Sequence, residues 1–172
     1  LAATTVKPQA RVLAESRAWV VVLLNHWDEV DAILQDVDRS LDQAPNPDDS
    51  FVNRHRGMAT TIRVVLANHR GDAGQAIEYA RRALELLPAA NRLQRSIVMR
   101  NLGAAYELQD KLAEASRVLT EALALSQASD NLVTTLQALD DLARLEVEQA
   151  RLPRAAQLHR QALHAVETWG RE

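Results

Sequence analysis

The sequence contains no cysteine. Disulfides, thiolate catalysis and cysteine-ligated zinc are therefore excluded, and the composition fits a cytoplasmic protein. Lysine is nearly missing, occurring only at Lys7 and Lys111. Neither follows a glycine-rich loop, so this stretch carries no G-x-x-x-x-G-K-[ST] phosphate loop, and it has no G-x-S-x-G elbow either. Aromatic residues make up only 3%, and β-branched runs are short, which argues against a sheet core. The net charge of −3 and pI near 6.0 leave no basic excess for phosphate backbones. No apolar run approaches the ~20 residues that span a bilayer. The longest, Ala18–Leu24, ends at Asn25-His26. The chain opens on Leu1 without a charged leader or cleavage signal, and it is expected to be a piece of a longer protein.

What remains is dominated by Ala, Leu, Arg, Glu and Gln, the composition of helices. Asn101–Ser126 shows the unit most clearly. Leu102 and Tyr106 are one helical turn apart and share a face with Gly103. A mid-helix glycine costs roughly 1 kcal/mol against alanine, and its return is the close approach of a second helix. Gln109-Asp110-Lys111 forms the turn. Ala115, Val118, Leu119, Ala122 and Leu123 then make one apolar stripe, with small Ala115 and Ala122 on the face expected to meet Gly103. The result is an antiparallel helical hairpin, too small to bury its own apolar side.

Copies of it fill the chain. The small pairs are Ala76 with Ala83, Ala115 with Ala122 and Ala155 with Ala162, and Val30 with Val37 is a bulkier version. Their first members are spaced by 46, 39 and 40 residues. The long first interval is accounted for by the turn-rich stretch Gln43–Ser50, QAPNPDDS. The expected fold is all-α: about eight helices in a right-handed solenoid of tandem hairpins, at approximately residues 8–42, 51–88, 91–128 and 131–168, with a loop at 43–50, forming one domain over 1–172. Acidic residues crowd Asp28–Asp49, and Arg54–Arg70 is basic. The first is read as a solvated face, with electrostatic docking as the alternative, and the second as a solvated or partner-facing surface in preference to a DNA contact.

The unit resembles the tetratricopeptide repeat. Met99, Leu102, Gly103 and Tyr106, followed by Ala115 and Leu119, match one end of that pattern, and Gly71-Asp72, Ala76, Ala83 and Pro88 match the other. Thr60, Arg63 and Val64 depart from it, and Ala150 replaces a turn glycine. The forty-residue period exceeds the ordinary 34. With the phrases RGDAGQAIEYARRALELLP and SDNLVTTLQALDDLARLEVEQARLPRAAQLHRQALHAVE, it is similar to the sensor repeats of MalT-like, LuxR-type bacterial regulators. That resemblance implies a domain that binds a small-molecule inducer or a regulatory protein or peptide. It also implies a nucleotide-binding switch region before the repeats and a helix-turn-helix after them. The alternative is a general protein-interaction scaffold with no role in transcription.

No catalytic constellation is present, and no cofactor is expected. His159 and His164 are five apart, roughly 140° around a helix, so they share no metal face. Asp140 and Asp141 are adjacent and point apart, which suits a surface. Ligands of stacked hairpins lie on the concave side, lined by the first helix of each hairpin. The candidates there are Trp19, His69, Arg100, Asn101 and Arg144, in a groove that also includes Glu15, Ala104 and Gln137. The arginines and Asn101 suit a carboxylate, a phosphate or sugar hydroxyls; Trp19 suits a sugar ring or the core. Neither a nucleic-acid contact nor a membrane contact is expected of this segment. A homodimer through the apolar first helix is expected.

Overall fold

In the computed structural model, residues 8–43 and 50–169 are described, with side chains from residue 16 onward. Positions 44–49 of the expected loop and the Glu15 side chain lie outside them. Among the described residues there are eight helices: α1 Pro8–Leu23, α2 Trp27–Asp42, α3 Ser50–His69, α4 Ala73–Leu86, α5 Arg92–Glu107, α6 Leu112–Gln127, α7 Leu132–Glu148 and α8 Leu152–Thr168.

Each hairpin turn is made in the same way. Asn25, Gly71, Asp110 and Ala150 take left-handed backbone, with φ of 60°, 72°, 56° and 58°. The following N–H reaches back five residues in every case: His26 to Val21, Asp72 to Ala67, Lys111 to Tyr106 and Arg151 to Glu146, at 2.8–2.9 Å. This is the Schellman closure, which satisfies carbonyls the helix would otherwise leave open. Asp130, with φ of 51°, repeats it between α6 and α7. Side-chain caps at Asp72, Asn91 and Asn131 start α4, α5 and α7.

Contacts between helices define the solenoid. The hairpins α1–α2, α3–α4, α5–α6 and α7–α8 stack through α2 on α3, α4 on α5 and α6 on α7. The first helices also touch in series, α1 on α3, α3 on α5 and α5 on α7, and so form the inner layer. Gly103 makes its close approach to Leu119, not to the alanine pair flanking it. A Cβ there would sit 2.5 Å from Leu119 Cγ. Gly57 does the same against Leu87, whose Cγ would lie 2.8 Å away.

The acidic stretch is not merely solvated. Arg56 and Arg63 of α3 and Arg70 just past its end, spaced by seven, pair with Asp42, Asp38 and Asp31 of α2 at 2.8, 2.5 and 2.5 Å. Arg63 also donates to the Leu34 carbonyl at 3.5 Å, so its departure from the repeat pattern places a charged seam where leucine packs in later units. The exposed Arg70–Asp31 pair contributes no more than about 1 kcal/mol.

Candidate functional site

The inner layer carries one continuous polar joint, between α5 and α7. Arg100 of α5 donates from Nε to Asp141 Oδ2 at 2.7 Å and from Nη2 to Oδ1 at 3.3 Å. Arg144, one turn beyond Asp141 on α7, donates to Asp141 Oδ1 at 2.8 Å. It also donates to Glu107 Oε2 at the end of α5. Four side chains from two consecutive repeats thus form a chain in the order Arg100, Asp141, Arg144 and Glu107, cations alternating with anions.

Burial orders these groups. The Asp141 side chain is only 4% exposed, whereas Arg144 is 48% exposed. The expectation that Asp140 and Asp141 both suit the surface is corrected here: Asp140 is exposed, but Asp141 turns into the α5–α7 joint, where two guanidinium groups compensate its charge. Glu107 is nearly as buried, and its Oε1 has no hydrogen-bond partner among the described residues. Burial pushes the Glu107 carboxyl above its ordinary value of 4.5, against the opposing pull of Arg144. Burial by itself would lower the Arg144 guanidinium, but Glu107 and Asp141 outweigh it and raise it.

The sequence candidates fall into three places. Arg100 and Arg144 share the joint, with Arg144 presenting the larger open surface. Asn101 is buried: its side-chain amide donates to Ile97 O at 2.8 Å, and Asn68 of α3 donates to the main-chain oxygen of Asn101 at 2.8 Å and to its Oδ1 at 3.4 Å. One residue along a helix is a rotation of about 100°. That turns Asn101 away from the groove and into the α3–α5 contact. His69 is exposed and stacks on Trp27, with ring centroids 3.9 Å apart and planes 12° apart. Trp19 is half-buried against the α1–α3 core.

Reading the sequence missed Asp141, Glu107 and Asn68, all of which bond into the next or preceding repeat. A signal for the first was present: Arg100 and Asp141 are opposite charges about one repeat apart, 41 residues in sequence. Among the described residues no cluster of three or more metal-ligating side chains occurs, and no helix is long and apolar enough to cross a membrane.

Comparison with known proteins agrees with this architecture. The profile of the MalT-like TPR region matches residues 57–171. Among solved structures, the TPR domain of Arabidopsis FLU superposes with a TM-score of 0.60 at 20% identity, covering 67% of this chain and 98% of that one. BtubC (BKLC) from P. vanneervenii superposes with a TM-score of 0.67 at 17% identity, covering 90% of this chain and 61% of that one. At such identities these two likenesses concern the fold alone. No curated protein sequence matches the chain. With most of α3 and all of α4 through α8 inside the matched region and the same turn geometry in every hairpin, the chain belongs to the tetratricopeptide-repeat proteins of the MalT-like type.

Proposed function

We propose that these repeats are the effector-binding domain of a LuxR-type, MalT-like bacterial transcription regulator, acting in the cytoplasm by binding and not by catalysis. The effector is an anionic small molecule, or an acidic segment of a regulatory protein, taken up on the concave side at Arg144 and Arg100. The observation that carries this reading is the position of Arg144. Its guanidinium is half open to the groove, yet it also closes the α5–α7 joint through Asp141 and Glu107. An anion that draws Arg144 outward competes directly with Glu107. Releasing Glu107 loosens a contact between the third and fourth hairpins, so occupancy of the groove is converted into a change in how repeats stack. A ligand shifts such an equilibrium only by its differential affinity for the two arrangements. A shared guanidinium supplies that difference, because it serves either the joint or the ligand fully, but not both.

The test is the gene itself. A nucleotide-binding region with a P-loop encoded before the repeats and a helix-turn-helix encoded after them support the regulator. A gene with neither overturns it.

A further inference from the structure

The two anions of the α5–α7 joint are not equally provided for. Asp141 is held twice, by Arg100 through Nε and Nη2 and by Arg144 through Nη2. Glu107 is held once, at Oε2, by Nη1 of Arg144. Its side chain is only 11% exposed, and its Oε1 is buried with no hydrogen-bond partner among the described residues. Other charges act on it from across the joint: Asp141 and Glu148 of α7 both disfavour its ionised form. Arg100 stands on the same helix as Glu107, but its guanidinium is engaged by Asp141. A buried carboxylate therefore depends on one cation, and that cation is the half-exposed Arg144.

Withdrawing Arg144 treats the two anions differently. Asp141 keeps both bonds from Arg100. Glu107 is left ionised without a counter-ion, in a place where a bare charge is strongly disfavoured. A proton from solvent ends that state by converting the carboxylate to the neutral acid. We propose, on the footing that the groove takes an anionic effector at Arg144, that Glu107 is the proton acceptor of that site, so that the anion and a proton are taken up together. The negative charge brought by the effector is then matched by the positive charge of the proton, and occupancy leaves the joint without excess charge. Effector affinity rises as pH falls, over the range in which Glu107 is ionised in the free protein and neutral in the loaded one. The linkage is reciprocal: a proton placed on Glu107 releases Arg144 to the groove.

The carboxyl of Glu107 can be read directly, by carbon-13 NMR of chains labelled at glutamate, with its resonance assigned by its loss in Glu107→Gln. Arg144→Gln reproduces the withdrawal of the cation at a half-exposed site. Glu107 in that variant should titrate at higher pH than in the wild type. Arg144→Lys, which keeps a charge but not the guanidinium fork, should give an intermediate midpoint, and it carries the measurement if Arg144→Gln does not fold. Arg100→Gln, which takes its cation from Asp141, should displace Glu107 less than Arg144→Gln does. In the host, the promoters that lose induction in a deletion strain should be more active with Glu107→Gln, the permanently neutral form, at normal protein abundance. A joint with only a structural role would move Glu107→Gln and Arg144→Gln in the same direction. A Glu107 midpoint that neither Arg144 variant displaces overturns the proposal, as does a Glu107→Gln strain that loses induction while its protein stays abundant. Both of those results leave Arg144 as the effector site untouched, whereas normal induction in an Arg144→Gln strain removes the effector site itself.

Discussion

Asp141 and Arg100 lie 41 residues apart and meet at 2.7 Å, a buried carboxylate of the fourth hairpin held by a guanidinium of the third. Arg144 holds the same carboxylate from its own helix. Removing the anion leaves two cations facing each other at the α5–α7 contact. Asp141→Ala is expected to cost about 3 kcal/mol. Asp140→Ala, one residue earlier and exposed, should change stability by no more than about 0.5 kcal/mol. Urea unfolding of the two variants measures the contrast, and equal losses would show that the joint does not hold the repeats together.

Glu107 gives the joint a pH dependence. Burial raises its carboxyl above the ordinary 4.5 in the folded chain. The folded state therefore binds this proton more tightly than the unfolded one. The corresponding stability is fully present below pH 4.5 and is lost as pH rises through the higher, folded value. Glu107→Gln removes that titration. The stability of the wild type relative to Glu107→Gln should fall as pH rises from 4 toward neutrality, as read by denaturant unfolding at a series of pH values. A rising difference would mean that Arg144 outweighs desolvation at this site.

Ala150 takes a backbone conformation that its Cβ disfavours, with φ of 58°, at the place where Gly71 serves another hairpin. Left-handed backbone costs an L-residue about 1–2 kcal/mol. After the extra chain entropy of glycine is offset, Ala150→Gly should stabilise the protein by about 1 kcal/mol, and Gly71→Ala should destabilise it by a similar amount. A Cβ at Gly71 meets nothing within 4 Å, so the second effect is purely one of backbone. Thermal unfolding reads both signs.

Gly103→Ala sets two effects against each other. Helix propensity favours alanine by roughly 1 kcal/mol. Contact at 2.5 Å from Leu119 Cγ opposes it, and overpacking of this kind costs about 1–3 kcal/mol. The clash should win, for a net loss of about 1–2 kcal/mol. In the Leu119→Ala background that loss should largely vanish, which a double-mutant cycle detects.

The helices and turns were legible because they depend on local chemistry. Apolar spacing, Asp110 and Gly71 in turns, and Pro88 after α4 all act within a few residues of where they stand. The forty-residue period was legible for the same reason, since each unit needs its neighbours and repeats the pattern that recruits them. Side-chain fates across the stack were not. Whether Asn101 faces the groove or α3 depends on a single residue of helical rotation. Arg63 reads as a solvated charge until Asp38, 25 residues earlier, is brought to 2.5 Å. Asp141 looks like half of an acidic surface pair until the stacking of α5 places Arg100 against it. Each of these partners sits in an adjacent repeat, which only the superhelical packing specifies.

The most direct measurement on the proposed regulator is the transcript profile of a host strain whose chromosomal copy carries Arg144→Gln, set against the wild type and a deletion. Protein abundance is checked by immunoblot, so that a folding defect is told apart from a signalling one. With the protein at normal abundance, the promoters that lose induction in the deletion should lose it in the Arg144→Gln strain as well. Normal induction of those promoters in the variant would contradict a concave, Arg144-based effector site.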